Sequence, residues 1–225
     1  MGKKKYFVKV KSITALNHDV LEIITEKPEG YDFRPGQATE MAINKKGWED
    51  ENRPFTFTNL PEEDHLEFVI KTYPSHDGVT DELLSVKAGD ELILNEVFGA
   101  IEYRGKGAFL AGGSGVTPFI AILKSLEAKK KLSGNSLVFA NKKKEDIFLK
   151  DTLERMLGRK YINLLSDEST DEYPKGHIDK DFLQNTFSDF NQYFYLCGPP
   201  EMMDEIISDL KDLGVAEKNI VVEEY

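Results

Sequence analysis

The chain carries a single cysteine, Cys197, so no disulfide can close within it. One thiol also supplies no ligand set for an iron–sulfur cluster or a zinc knot. The histidines His18, His65, His76 and His177 show no metal-ligand spacing, and no metal is expected. Positive charge is short as well. The formal net charge of −11 argues against nucleic acid as a partner. Long hydrophobic runs are lacking. The most apolar stretch, Ala108 to Pro118, contains Ser114 and Thr117 and is too short to span a bilayer. The start of the chain has no signal-peptide pattern, and Tyr6 breaks the myristoylation pattern that Gly2 would open. Lys3-Lys4-Lys5 reads as a short solvated tip. Repeats and low-complexity tracts are absent. The expectation is a cytoplasmic protein in a reducing setting, without a stable membrane anchor.

What is present is enough apolar and aromatic sequence for one large domain or two modest ones. The first hundred residues read as short strands with Gly and Pro punctuation: Tyr6 to Val10, Val20 to Thr25, Ala38 to Ile43, Leu66 to Lys71 and Glu91 to Val97. One short helix is expected near Val79 to Leu84. This texture predicts a sandwich or barrel. After Gly105, strand-like runs alternate with helical spacing. The helices are expected at Pro118 to Ala128, Asp146 to Leu157, Asp179 to Phe187 and Pro200 to Leu213, with Gly214 as a C-cap. Such alternation predicts an open parallel sheet with helices on both faces. The expectation is therefore a two-domain chain: an antiparallel β-barrel over residues 1–105, then an α/β domain over residues 106–225.

The densest signal is Ala108-Phe109-Leu110-Ala111-Gly112-Gly113-Ser114-Gly115-Val116-Thr117-Pro118. An apolar strand runs into glycines and then a helix start, with Thr117 as a cap and Pro118 at the first helical position. Glycines before a helix N-terminus let N–H groups approach an anion, and the helix dipole favours a phosphate there. An ordinary strand–helix turn is the plainer alternative. The spacing departs from the dinucleotide fingerprint. Pro118 stands where a third glycine would be, and no acidic residue follows about 20 positions on. Ligands of open α/β sheets lie beyond the carboxyl ends of strands. Two more strand ends are of interest there: Ser166-Asp167-Glu168 and Cys197-Gly198-Pro199-Pro200.

Together with Phe33-Arg34-Pro35-Gly36-Gln37, Arg53-Pro54-Phe55-Thr56 and Gly78-Val79-Thr80, these motifs run in the order found in the ferredoxin–NADP reductase superfamily, which the chain resembles over nearly its whole length. The resemblance implies FAD as cofactor and NADH or NADPH as hydride donor. It places Arg53 on a flavin phosphate, Phe55 where a tyrosine usually packs on the flavin, and Thr56 near the hydride-accepting atom. Pro54 belongs to the same motif. Backbone groups of Val69, Ile70 and Lys71 would meet the phosphate–ribose arm, and Gly78, Val79 and Thr80 the pyrophosphate. Gly113, Ser114, Gly115, Val116, Thr117 and Pro118 would seat the nicotinamide nucleotide, with Cys197, Gly198 and Pro199 beside its ring. Glu223 and Tyr225 match a terminal pattern in which the aromatic ring stacks on the flavin. In place of the Ser-Arg pair of NADP-using members stand Ser166 and Asp167, followed by Glu168. A carboxylate repels a 2′-phosphate, so NADH is favoured. Lys142, Lys143 and Lys144 are the counter-signal. The implied acceptor is a ferredoxin, a flavodoxin or an oxygenase component. A free-flavin or ferric reductase and a non-catalytic electron-transfer subunit are the alternatives.

Overall fold

The computed structural model describes residues 4–73 and 77–223, with the side chain of Ala100 excepted. In the first part of the chain the alternation of apolar and polar residues produces strands β1 (Tyr6–Ala15), β2 (Val20–Glu26), β3 (Gln37–Ile43), β4 (Arg53–Thr56), β5 (His65–Lys71) and β6 (Glu91–Ala100). They pair antiparallel in the order β4-β3-β6-β1-β2-β5. The two outer strands meet through a bridge between Phe57 and Phe68 and a bond from Thr58 N–H to the Glu67 carbonyl, which rolls the sheet into a barrel. Inward residues fill it: Val8, Val10, Ile23, Met41, Ile43, Phe57, Phe68 and Leu92 form one buried cluster. Phe57 is its hub, with rings of Phe33 at 4.2 Å and Phe68 at 5.2 Å. The Tyr31 hydroxyl reaches into this interior, donating to the Asn95 carbonyl at 2.8 Å. Helix α1 (Val79–Glu82) is one turn, continued by a 3-10 turn over Leu83–Ser85.

The second part contains β7 (Gly107–Gly112), β8 (Ser136–Asn141), β9 (Tyr161–Leu165), β10 (Tyr193–Cys197) and β11 (Ile220–Val222), parallel in the order β11-β10-β7-β8-β9. Helices α2 (Thr117–Ala128), α3 (Lys150–Leu157), α4 (Lys180–Thr186) and α5 (Pro200–Asp212) make the connections. Ala108, Leu110, Val138, Leu164, Phe194 and Leu196 of one sheet face pack with Leu183 of α4 and with Ile206 and Leu210 of α5. On the other face Phe109 and Tyr195 stack at 4.5 Å, and Phe139 meets Phe148 edge-on at 5.3 Å. The chain winds outward from β7 through β8 to β9. It then returns to β10 on the other side, so the direction of winding reverses between β7 and β10.

The strands up to Ala100 form one compact unit with Thr117–Ser125 of α2, and Ile101–Val116 form a second with the chain from Leu126 onward. Among the described residues no helix is long and apolar enough to cross a membrane.

Two local expectations are corrected. The helix expected from Asp146 is divided. A 3-10 turn covers Lys144–Asp146, Leu149 takes the left-handed conformation (φ 54), and α3 begins only at Lys150. The Asp146 carboxylate accepts from Lys143 N–H at 2.9 Å, and Phe148 is buried against Phe139, which together set the break. Thr117 is the first residue of α2 rather than its cap, because a 3-10 turn over Gly113–Val116 leads straight into the helix.

Candidate functional site

The residues singled out in the sequence fall into three groups. In the barrel unit, Arg53 opens β4. Its Nη1 donates to the Asn52 carbonyl at 2.7 Å, Glu51 lies 3.6 Å from Nη2, and the side chain is half exposed. Phe55 is partly buried and lays its ring against the barrel cluster, while Pro54 is exposed and Thr56 partly buried. Val69 and Ile70 are buried. Lys71 gives its ammonium to Asp19 at 2.6 Å. β5 stands at the end of the sheet order, bridged to the β4 chain only at Phe68, so past that point its outer edge has no strand partner among the described residues. Backbone contacts to a ligand arm from Val69–Lys71 fit that free edge. Gly78 precedes α1, Val79 is buried, and Thr80 is partly buried. Lys45 reaches Glu82 of this turn at 3.2 Å.

In the α/β unit, β7 ends at Gly112, and Cys197 at the end of β10 pairs with Ala111. The turns that follow are interlocked. A Cβ on Gly115 would stand 2.2 Å from the Cys197 carbonyl oxygen and 2.7 Å from Gly198 N. One on Gly198 would meet the Met202 methyl at 2.6 Å. At Gly115 only glycine fits because backbone passes backbone, whereas at Gly198 the closest atom is the end of the Met202 side chain and the nearest backbone, Gly112 N, lies at 3.1 Å. Gly113 differs: its φ of 54 is left-handed and no atom lies within 4 Å of where its Cβ would be. The outer side of the turn is therefore open while the inner side is closed. Ser114 is partly buried and Val116 buried, and Pro118 follows at the second position of α2. Pro199 and Pro200 start α5 directly after Gly198.

Cys197 is half-buried, with Sγ 4.0 Å from Oε2 of Glu223. Burial first, and the Glu223 charge second, push its thiol up to about 12. It is a neutral thiol at pH 7, suited to packing and orientation and not to nucleophilic attack. Tyr225 lies outside the described residues.

The carboxyl end of β9 gathers a third set. Ser166 N–H donates to the Asn141 carbonyl at 3.0 Å, and Asp167 N–H to Lys142 at 2.9 Å. The Ser166 hydroxyl donates to Asp167 at 2.6 Å. Glu168 accepts from Lys144 N–H at 2.6 Å. The Glu172 carboxylate takes the ammonium groups of both Lys144 and Lys150 at 2.5 Å and the Tyr173 hydroxyl at 2.7 Å, which hold it down to about 2. Glu172 carried no motif; only a count of acids around the lysines would have drawn notice to it. Asn141, 8% exposed, has an Nδ2 donor without a partner, at the carboxyl edge where a ligand lies in such sheets. Met202, which fills the gap under both glycine turns, carries no motif of its own.

An antiparallel barrel with a free outer edge, followed by a parallel sheet with a glycine turn at its winding reversal, defines a flavin- and nicotinamide-nucleotide-binding oxidoreductase fold. Family comparison agrees. Residues 5–99 match the FAD-binding domain, and residues 109–207 match the oxidoreductase NAD-binding domain. The chain belongs to the ferredoxin–NADP reductase superfamily. The reductase component of propane 2-monooxygenase from Rhodococcus jostii is 28% identical over 96% of this chain and 62% of its own length. The chain thus spans less than two thirds of that relative. Among solved structures, a ferredoxin NADP+ reductase from Neisseria gonorrhoeae with bound FAD and NADP superposes with a TM-score of 0.85 at 19% identity, covering 97% of this chain and 98% of that one. The flavohem-like FAD/NAD binding domain of nitric oxide dioxygenase from Vibrio cholerae gives 0.85 at 22% identity, covering 98% and 97%.

Proposed function

We propose that this chain is a reductase that takes a hydride from NADH onto FAD and delivers electrons to a protein acceptor, an oxygenase component or a small redox carrier. The supporting observation is the succession of an FAD-binding domain and a NAD-binding domain in one chain. We assign residues 1–105 to the flavin and residues 106–225 to the nucleotide. Bound FAD supplies the chemistry, accepting two electrons with a hydride and releasing them singly. Arg53, exchanging its weak contact with Glu51 for the ligand, grips a flavin phosphate, which its planar fork suits. Phe55 offers a ring face without a hydroxyl, Thr56 donates near the reacting edge, and the β5 backbone holds the arm. Thr80 and the start of α1 hold the pyrophosphate. The Gly113–Pro118 turn seats the nucleotide pyrophosphate on its open outer side, and neutral Cys197 with Gly198 and Pro199 orients the nicotinamide ring. Glu223 and Tyr225 complete the flavin side.

The preference for NADH is supported by charge. Lys144 and Lys150 are both engaged by Glu172, and Glu168 occupies the Lys144 N–H, so the lysines offer little to a 2′-phosphate. The acceptor reading follows the propane monooxygenase relative. The test is the absorption spectrum of the purified protein before and after anaerobic NADH. Bound flavin that bleaches with NADH is the expected result. Protein without flavin that reduces added flavin makes it a free-flavin reductase, and bound flavin that never bleaches makes it a non-catalytic subunit.

A further inference from the structure

The Glu67–Lys124 ion pair is partly shielded from solvent. Lys124 Nζ lies 2.8 Å from Glu67 Oε1, with side chains 26% and 12% exposed. Lys71–Asp19 is similarly covered. Glu67 is held firmly. Its carboxylate accepts the Thr58 hydroxyl at 2.7 Å, its N–H donates to Asn59 Oδ1 at 3.0 Å, and its carbonyl accepts Thr58 N–H at 2.9 Å. Asn59 Nδ2 in turn donates to the His65 carbonyl at 2.8 Å. Thr58 and Asn59 are fully buried. Neighbouring Glu22 is the weaker competitor for Lys124, since burial, then the Glu67 charge, raise its pKa.

The connectivity gives this pair its meaning. Thr58 and Asn59 follow β4, which carries Arg53 to Thr56, after the single residue Phe57, and Lys124 lies about two turns along the helix that starts at Thr117. One hairpin thus carries the proposed flavin contacts at one end and grips α2 at the other. We propose that Glu67 and Lys124, backed by Thr58, are positioning residues for the nucleotide: they fix the rotation and height of α2, and so the aim of its first N–H groups at the anion. This rests on the reading of the Gly113–Pro118 turn as the nucleotide seat.

The experiment uses the flavin-loaded full chain as wild type, E67Q, K124M and the exchanged pair E67K/K124E. Amide hydrogen exchange over Phe119–Ala128 reports on the helix independently of activity, and anaerobic flavin reduction gives KM and the limiting rate. In E67Q and K124M we expect exchange in α2 to quicken about fivefold and KM for NADH to rise about fivefold, the size of a partly shielded ion pair, with a smaller change in the limiting rate. The exchanged pair recovers most of both. Unchanged exchange in α2 overturns the proposal. So does faster exchange with an unchanged KM, which would make the pair structural only. Failure of the wild type to respond to NADH or NADPH strikes the nucleotide reading instead, while the exchange arm still decides whether the pair holds the helix.

Discussion

Replacing Gly115 with alanine should damage this protein in a different way from replacing Gly113. The added carbon at position 115 would lie 2.2 Å from the Cys197 carbonyl oxygen, 2.4 Å from its carbonyl carbon and 2.7 Å from Gly198 N. All three are backbone atoms, so no side chain can swing aside. Cys197 is also tied into the sheet opposite Ala111, so relief requires moving the end of β10 away from β7 by about 1 Å. Overpacking typically costs about 1–3 kcal/mol, and two backbones in contact put this case at about 3 kcal/mol. At Gly113 nothing lies within 4 Å, and only the left-handed backbone (φ 54) resists a side chain. That costs about 1 kcal/mol. Urea unfolding of the two purified variants measures the stability difference, and steady-state KM for NADH measures the site. G115A should lose the larger stability. G113A should lose little stability yet raise KM, because its new methyl occupies the open side of the turn where the phosphate is proposed to sit. A G115A protein within about 1 kcal/mol of wild type, or G113A the less stable of the two, would refute the steric reasoning.

Three further outcomes are expected. E172Q frees Lys144 and Lys150 from their carboxylate, so the ratio of kcat/KM for NADPH over NADH should rise about twofold to fivefold, on the scale of one surface charge contact; an unchanged ratio would detach this cluster from nucleotide choice. Iodoacetamide should label native Cys197 slowly at pH 8 and quickly after urea unfolding, because the thiol is raised to about 12 by burial and by Glu223; rapid native labelling would contradict this. Stability should fall on the alkaline side. Burial raises the Tyr31 and Tyr195 hydroxyls to about 12 as well, whereas the same groups in an unfolded chain ionise near 10, and a free thiol near 8.5. The unfolded chain therefore releases protons first, so this stability is fully present below about pH 8.5 and is lost as pH climbs through 12. Denaturation midpoints measured from pH 7 to 11 would show it, and a flat profile would count against these buried groups.

Much of the fold was legible because its signals are local. Alternation marked β2, β3 and β5, and the helical stripe of Met203, Ile206, Ile207 and Leu210 marked α5. The sequence was less clear where side chains overrule propensity. The stretch after Asn141 has helical composition, yet Asp146 turns back on Lys143 and Phe148 drops into the sheet, so the helix starts late. β4 is short and contains Pro54, so it reads as a motif and not as a strand until β3 pairs with it. In the candidate site, the glycine turns and Cys197 stood out by their residue types. Met202 and Glu172 did not, since their importance comes from neighbours far along the chain. The same holds for Glu67 and Lys124, ordinary surface residues by composition.

The hydroxyl of Tyr195 accepts from the N–H groups of Arg104 and Gly105 at 2.9 Å and donates to the Gly105 carbonyl at 2.6 Å. Ninety residues separate this phenol from the Gly105 turn it secures, so the turn leaves the ribosome well before its anchor exists. β7 waits with it. β8 can pair along one side early, but the other side of β7 belongs to β10. During synthesis a buried, hydrophobic central strand must therefore present a bare edge until β10 arrives, a condition that invites pairing with other chains. Expression yield should depend on how fast the last part of the chain is completed, and truncation before Tyr193 should produce aggregates, not a smaller soluble domain.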